Sequence, residues 1–143
     1  MTTKANITQA IPFFRVANME ASLRFYVDGL GFEITNQWVP RHKIEWCSLR
    51  RGGGTLMLQE PYGEVPLAKL AENKLGAGVS ISFLCDDALA LYHEFTGRGL
   101  NVSEPFVGNN MWVIMLDDPD GYRLEFQSPT DVAEETLYSG WKQ

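Results

Sequence analysis

The sequence predicts an α+β fold made of two tandem βαβββ modules that build a curved mixed sheet with a cleft. Three observations lead there. A strand, an acidic turn, an amphipathic helix and a Gly-bounded stop occur in that order twice, from Ile11 to Phe32 and from Val79 to Leu100. Each is followed by further strand-like runs separated by Gly or Asn turns. The chain has 143 residues, 45% of them hydrophobic, which suffices for one shared core. A single half cannot cover both faces of its own sheet, whereas two halves side by side can enclose a cavity.

The elements follow in order. Ala10 to Val16 reads as the first strand. Asn18 can cap the next helix, whose periodic positions include Ala21, Phe25 and Tyr26. Asp28-Gly29-Leu30-Gly31 stops it, because Gly permits a left-handed exit. Phe32 to Val39 and Ile44 to Leu49 are strands around the loop Pro40-Arg41-His42-Lys43, and Thr55 to Gln59 follows the turn Gly52-Gly53-Gly54. Residues 61–78 form a connector punctuated by Pro and Gly, in which Leu67 to Ala71 can make a short helix; it serves as a lid, a partner contact or a plain linker.

The second module begins with the strand Val79 to Cys85. Asp87 can cap a helix over Ala88 to Thr96, stopped by Gly97-Arg98-Gly99. Asn101 to Glu104 is expected to be a strand ended by Pro105, followed by Met111 to Leu116 and Tyr122 to Gln127, with a turn at Asp117 to Gly121. The acidic tail carries Tyr138 and Trp141, and a Trp there points to docking on the body or on a partner subunit. Residues 1–143 are thus expected to be one domain: module one about 10–60, connector about 61–78, module two about 79–128 and tail 129–143.

Composition narrows the function. A net charge of −6 and the absence of a basic stripe argue against nucleic acid. No apolar run reaches membrane-spanning length, so no membrane partner is expected. The N-terminus lacks a basic region followed by an apolar stretch, and only Cys47 and Cys85 are present, so a reducing, cytoplasmic setting with free thiols is expected. Gly52-Gly53-Gly54 precedes a strand rather than a helix, so it is a hairpin turn and not a phosphate cradle.

Three segments carry a resemblance that covers Ala10 to Pro129. They are Arg15-Val16-Ala17-Asn18-Met19-Glu20-Ala21-Ser22-Leu23-Arg24-Phe25-Tyr26 with Gly29-Leu30-Gly31-Phe32; Ile81-Ser82-Phe83-Leu84-Cys85-Asp86-Asp87; and Asp118-Pro119-Asp120-Gly121-Tyr122-Arg123-Leu124-Glu125-Phe126. In this order and at these separations they resemble the vicinal oxygen chelate superfamily, which groups glyoxalase I, bleomycin-resistance proteins, fosfomycin-resistance proteins and extradiol dioxygenases. The resemblance implies the glyoxalase/bleomycin-resistance fold and a homodimer whose clefts are completed across the subunit interface. One scaffold hosting many chemistries leaves function to be argued from the site.

Metalloenzymes of that superfamily hold a divalent ion with His, Gln or Glu, one from the first and one from the last strand of each module. Carried over by motif, these positions fall on Ile11, Gln59, Ser80 and Glu125. Ile has no donor atom, Ser is a poor ligand, Gln a weak one, and only Glu125 matches well. His42 and His93 match no ligand position. The expectation is therefore no metal and no cofactor, which resembles the bleomycin-resistance branch and its sequestration of ligands, with antibiotic resistance as the implied role.

Such binding needs stacking surfaces and a few placed polar groups. The candidates are Phe13, Trp38, Trp46, Gln59, Tyr62, Trp112 and Glu125, with Phe83 as a further ring and Arg15, Arg41 and Glu45 as polar partners. The bland alternative is that half of these rings fill core or dimer interface, and that Glu125 is an alternating strand carboxylate paired with an Arg. The leading expectation is metal-independent binding of a small, aromatic or cationic molecule. One alternative is a superfamily lyase or dioxygenase with a divalent metal recruited at Glu125 and Gln59. Another is an interaction role for the connector and the Trp141 tail.

Overall fold

A computed structural model describes residues 6–62 and 75–142. The connector helix expected at Leu67 to Ala71 lies outside the described residues, as do the first five residues. Module one runs β1 (Phe13–Arg15), α1 (Met19–Leu23), β2 (Glu33–Trp38), β3 (Trp46–Arg51) and β4 (Gly54–Gln59). Module two runs β5 (Ser80–Leu84), α2 (Ala88–Gly97), β6 (Phe106–Gly108), β7 (Met111–Asp117) and β8 (Arg123–Pro129), and a short α3 (Tyr138–Trp141) ends the tail.

Local chemistry accounts for these elements. Asn18 Oδ1 accepts from the Ala21 N–H at 3.0 Å, and Asp87 Oδ1 accepts from the Ala90 N–H at 3.0 Å, so both expected caps are in place. α1 continues as a wider π-helical turn over Arg24–Gly29, where the Leu30 N–H reaches back to the Phe25 carbonyl at 2.9 Å. The first strand is shorter than its apolar run, because Pro12 has no N–H to extend the ladder.

The strands form two four-stranded sheets, ordered β1-β4-β3-β2 and β5-β8-β7-β6, with the first and last strands of each module parallel and the other pairs antiparallel. Within one chain the modules thus keep separate sheets and join through a shared core. Successive strand residues point to opposite faces. Phe14, Cys47, Leu49, Leu56 and Leu58 of module one enter one buried cluster with Ile114, Leu116, Leu124 and Phe126 of module two, around Tyr26 and Phe95 from the helices. The alternate residues of both sheets face away from that core.

Polar clamps join the modules beside it. Tyr26 Oη donates to Asp118 Oδ2 at 2.8 Å, and the Tyr122 ring stacks on Phe14 with centroids 4.2 Å apart. Arg51 binds Glu94 with both terminal nitrogens, and Arg98 Nη1 donates to the Gly29 carbonyl at 2.9 Å. The Asp118 carboxyl is buried, which pushes its pKa up to about 6 although Asp120 N–H, Tyr122 N–H and Tyr26 Oη donate to it. Burial and the neighbouring Asp118 push the Tyr26 phenol well above its ordinary value.

One expected strand is displaced. Asn101 to Glu104 is irregular, and β6 begins only after Pro105. Ser103 explains this: its N–H donates to the Met115 carbonyl at 2.8 Å, but the Met115 N–H is taken by Ser103 Oγ at 2.9 Å, so a side chain replaces the backbone and the ladder does not propagate. The tail covers the outer edge of β6 through a bridge from Leu137 to Phe106, with Val107 N–H donating to Thr136 O. It therefore docks on its own body, where Trp141 meets Trp112 at 5.2 Å.

Candidate functional site

Register places most of the sequence-predicted residues on one surface. Trp38 of β2 lies directly opposite Trp46 of β3, Trp46 opposite Gln59 of β4, and Gln59 opposite Arg15 of β1. Side chains at paired positions share a face. These four residues therefore form a transverse row across the whole module-one sheet, on the face turned away from the core. Phe13 stands two residues before Arg15 on the same face, beside Met57. Phe13 is 47% and Trp38 52% exposed, and Trp46, Met57 and Gln59 are half-buried. An outward sheet face would ordinarily be polar. This one presents two indoles and a phenyl ring, edged by an amide and a guanidinium.

The end of this row is braced from the loop before β3. Glu45, 5% exposed, takes two hydrogen bonds from the Arg41 guanidinium, at 2.8 and 2.5 Å, and donates its N–H to the Trp38 carbonyl at 3.0 Å. The same guanidinium lies over the Tyr62 ring at 3.6 Å from its centroid. Lys43 pairs with Glu60, whose other oxygen accepts the Met19 N–H at 2.7 Å. Tyr62 is thus held by Arg41 at the start of the connector, one step beyond the row.

Glu125 occupies the outward face of the other sheet. It is paired with Ser82 of β5 and Met115 of β7. Its Oε2 accepts from Ser82 Oγ at 3.1 Å and from Gln127 Nε2 at 3.3 Å. It is not salt-bridged to an Arg, the bland alternative for this position, among the described residues. Ser82 and Gln127 are site neighbours that the sequence reading did not single out; their signal is the alternation Ser80/Ser82 beside Glu125/Gln127.

Two rings lie elsewhere. Trp112 shares its side of β7 with Ile114 and Leu116, is 5% exposed, and meets Tyr138 and Trp141 edge-on. It packs under the tail and not in the row. Val113 is also buried, so the β7 sequence lacks the alternation that would have revealed which face Trp112 takes. Phe83 stacks on Phe126 at 5.0 Å and meets Phe32 at 5.8 Å, between the modules.

The four positions carried over from the metalloenzymes do not fit a divalent ion. Ile11 supplies no donor. Gln59 lies opposite the cationic Arg15, and Ser80, a weak neutral donor, lies opposite Arg123, whose guanidinium is paired with Asp117. Glu125 opposes Ser82 rather than Ser80. No group of three or more His, Cys, Asp and Glu residues placed to hold an ion occurs among the described residues.

Comparisons with known proteins agree with this architecture. A search of curated proteins finds no match. A bleomycin-binding protein complexed with bleomycin is 23% identical, with 85% of this chain and 98% of that one covered and a TM-score of 0.63. The bleomycin-binding protein of bleomycin-producing Streptomyces verticillus, complexed with copper(II)-bleomycin, is 19% identical over 87% of this chain and 98% of that one, at 0.66. An antibiotic-binding protein from Streptomyces sp. CB03234 is 21% identical over 88% and 100%, at 0.65. These likenesses establish the shared fold. The sequence profile of one family matches residues 7–126, most of the chain, and the protein belongs to the Glyoxalase/Bleomycin resistance protein/Dioxygenase superfamily.

Proposed function

We propose that the protein binds a small, flat, aromatic or cationic molecule without a metal, in a cleft lined by Phe13, Trp38, Trp46, Gln59 and Tyr62 and closed by Glu125. The observation that carries this reading is the row Trp38–Trp46–Gln59–Arg15. Indole faces give a planar ligand large contact area at little entropic cost. The amide of Gln59 and the carboxylate of Glu125 orient it by hydrogen bonds. Metal independence is supported by the donor set, with no donor at Ile11, neutral groups at Gln59 and Ser80, and the cationic Arg15 opposite Gln59. Bleomycin, bound by one structural neighbour, is the first ligand to try; a second neighbour is an antibiotic-binding protein.

The cleft takes a homodimer. In one chain the Trp row and Glu125 sit on outward faces of two sheets whose backs share a core, so a single copy does not bring them together. A second copy related by a twofold axis sets the module-one face of one chain against the module-two face of the other. Leu84, 75% exposed beside Gln127, accords with such a cover. The free thiols of Cys47 and Cys85 accord with the cytoplasmic setting we propose. No helix among the described residues is long and apolar enough to cross a membrane.

The test is intrinsic Trp fluorescence titrated with metal-free bleomycin and with a set of planar aromatic cations in chelator. Saturable quenching that Trp46→Phe or Trp38→Phe weakens supports the reading. Quenching unchanged in both variants, or none with any compound, contradicts it.

A further inference from the structure

We propose that the seam between the two modules of one chain is a second small-molecule site, one that takes a compact aromatic cation. The groove there has a volume of about 670 Å³, within the roughly 300–1,000 Å³ of small-molecule pockets. One wall is the hairpin turn Arg51 to Gly54, and the other is the end of β5 running through Asp86 and Asp87 into α2. The floor is the half-buried Phe83 ring, with the buried Phe126 and Phe32 packed behind it.

The hairpin glycines shape this groove. A Cβ at Gly52 or Gly53 would meet no heavy atom within 4 Å, so this backbone borders open space. A Cβ at Gly54 would stand 3.0 Å from a Phe83 ring carbon, so that glycine lets the phenyl floor close against the hairpin.

Charge decides the class of occupant. Arg51 is the one basic residue in the lining among the described residues, and it is committed. Its Nη1 donates to the Leu30 carbonyl at 2.6 Å and to Glu94 at 2.7 Å, and its Nη2 to Glu94 at 3.1 Å. Asp86 and Asp87 face no such compensation from the lining. Asp87 caps α2, while Asp86 is exposed at the mouth. The partly exposed Phe83 ring below and the carboxylates at the rim receive an aromatic ammonium, which gains an apolar contact and a cation–carboxylate attraction. The groove borders the Glu125 face through Ser82 and Leu84, and it shares no residue with the Trp38–Trp46 row. The second site therefore does not depend on that row, although Leu84 is common to the groove and to the proposed dimer cover.

The experiment is amide NMR of the uniformly ¹⁵N-labelled full chain, titrated with phenethylammonium and with its neutral analogue 2-phenylethanol. The amides of Gly52, Gly53, Cys85 and Asp86 are expected to shift saturably, with phenethylammonium about fivefold tighter, the most that one exposed charge pair allows. Asp86→Asn, at an exposed position outside the helix cap, is expected to bring the two compounds within about twofold. The indole N–H signals of Trp38 and Trp46 report the other cleft in the same spectra. Unmoved groove amides, equal affinity for the two compounds, or an Asp86→Asn protein that still prefers the cation would each overturn the proposal, whatever the indole signals do.

Discussion

At the scale of single residues, the aromatic row and the buried Asp118 make separate, checkable demands. If Trp46 stacks on ligand, Trp46→Ala weakens binding by about tenfold or more, as loss of a central aromatic anchor does. Trp112→Phe, under the tail, leaves affinity within about twofold, because Trp112 faces the other way. Titration calorimetry separates the two. Asp118 makes a pH claim. Its folded pKa of about 6 lies above its ordinary 3.8, so between those values the native state holds a proton that the unfolded chain releases. Its burial therefore destabilises the fold above pH 6, and this is relieved as pH falls towards 4. The lowered pKa of Glu94, held down by Arg51 and then Arg98, acts with the opposite sign. Comparison with Asp118→Asn isolates the first effect: wild type should gain stability relative to the variant between pH 7 and pH 5 in denaturant unfolding. Equal pH dependence in both would refute it.

At the scale of elements, caps and clamps carry the fold. Asp87→Ala removes the hydrogen bond that starts α2 and should lower stability by about 1 kcal/mol. Glu94→Gln loosens the tie from Arg51 across the modules and the pair with Arg98 beside it; these charges are partly exposed, so about 1 kcal/mol is expected in urea unfolding. Both caps were legible in the sequence because Asn18 and Asp87 stand directly before apolar helical periodicity. The displaced β6 was not, since a Ser hydroxyl taking the place of a backbone group leaves no mark in a hydrophobic pattern. Nor did the sequence reveal the bonds from Arg51 and Arg98 to the Leu30 and Gly29 carbonyls, which are long-range contacts onto the end of the π-helical turn.

At the scale of the whole molecule, the doubled βαβββ pattern was readable because each copy carries its own turn and stop residues. The separation into two sheets joined back to back was not readable, because it depends on which face of each strand the helices cover. Trp38, Trp46 and Gln59 share a row because their registers follow from one hairpin and its neighbour, whereas Trp112 lies under the tail, which the unalternating β7 sequence did not reveal. The back-to-back arrangement leads to the proposed dimer. Sedimentation at micromolar concentration should give twice the 16.1 kDa chain mass, and Leu84→Glu, on the outward face, should shift it towards monomer and weaken ligand binding together. A monomer that binds ligand with undiminished affinity would contradict that arrangement.

Metal-free binding at the aromatic face, as proposed, is open to calorimetric titration of one planar aromatic cation that quenches Trp fluorescence. The titration is run in chelator and then with zinc, nickel, manganese or iron(II) at stoichiometric excess. The same affinity within about twofold is expected in every condition, with no bound metal by elemental analysis of the complex. Binding that appears only with one of these ions, accompanied by stoichiometric metal lost in Glu125→Ala, would contradict it.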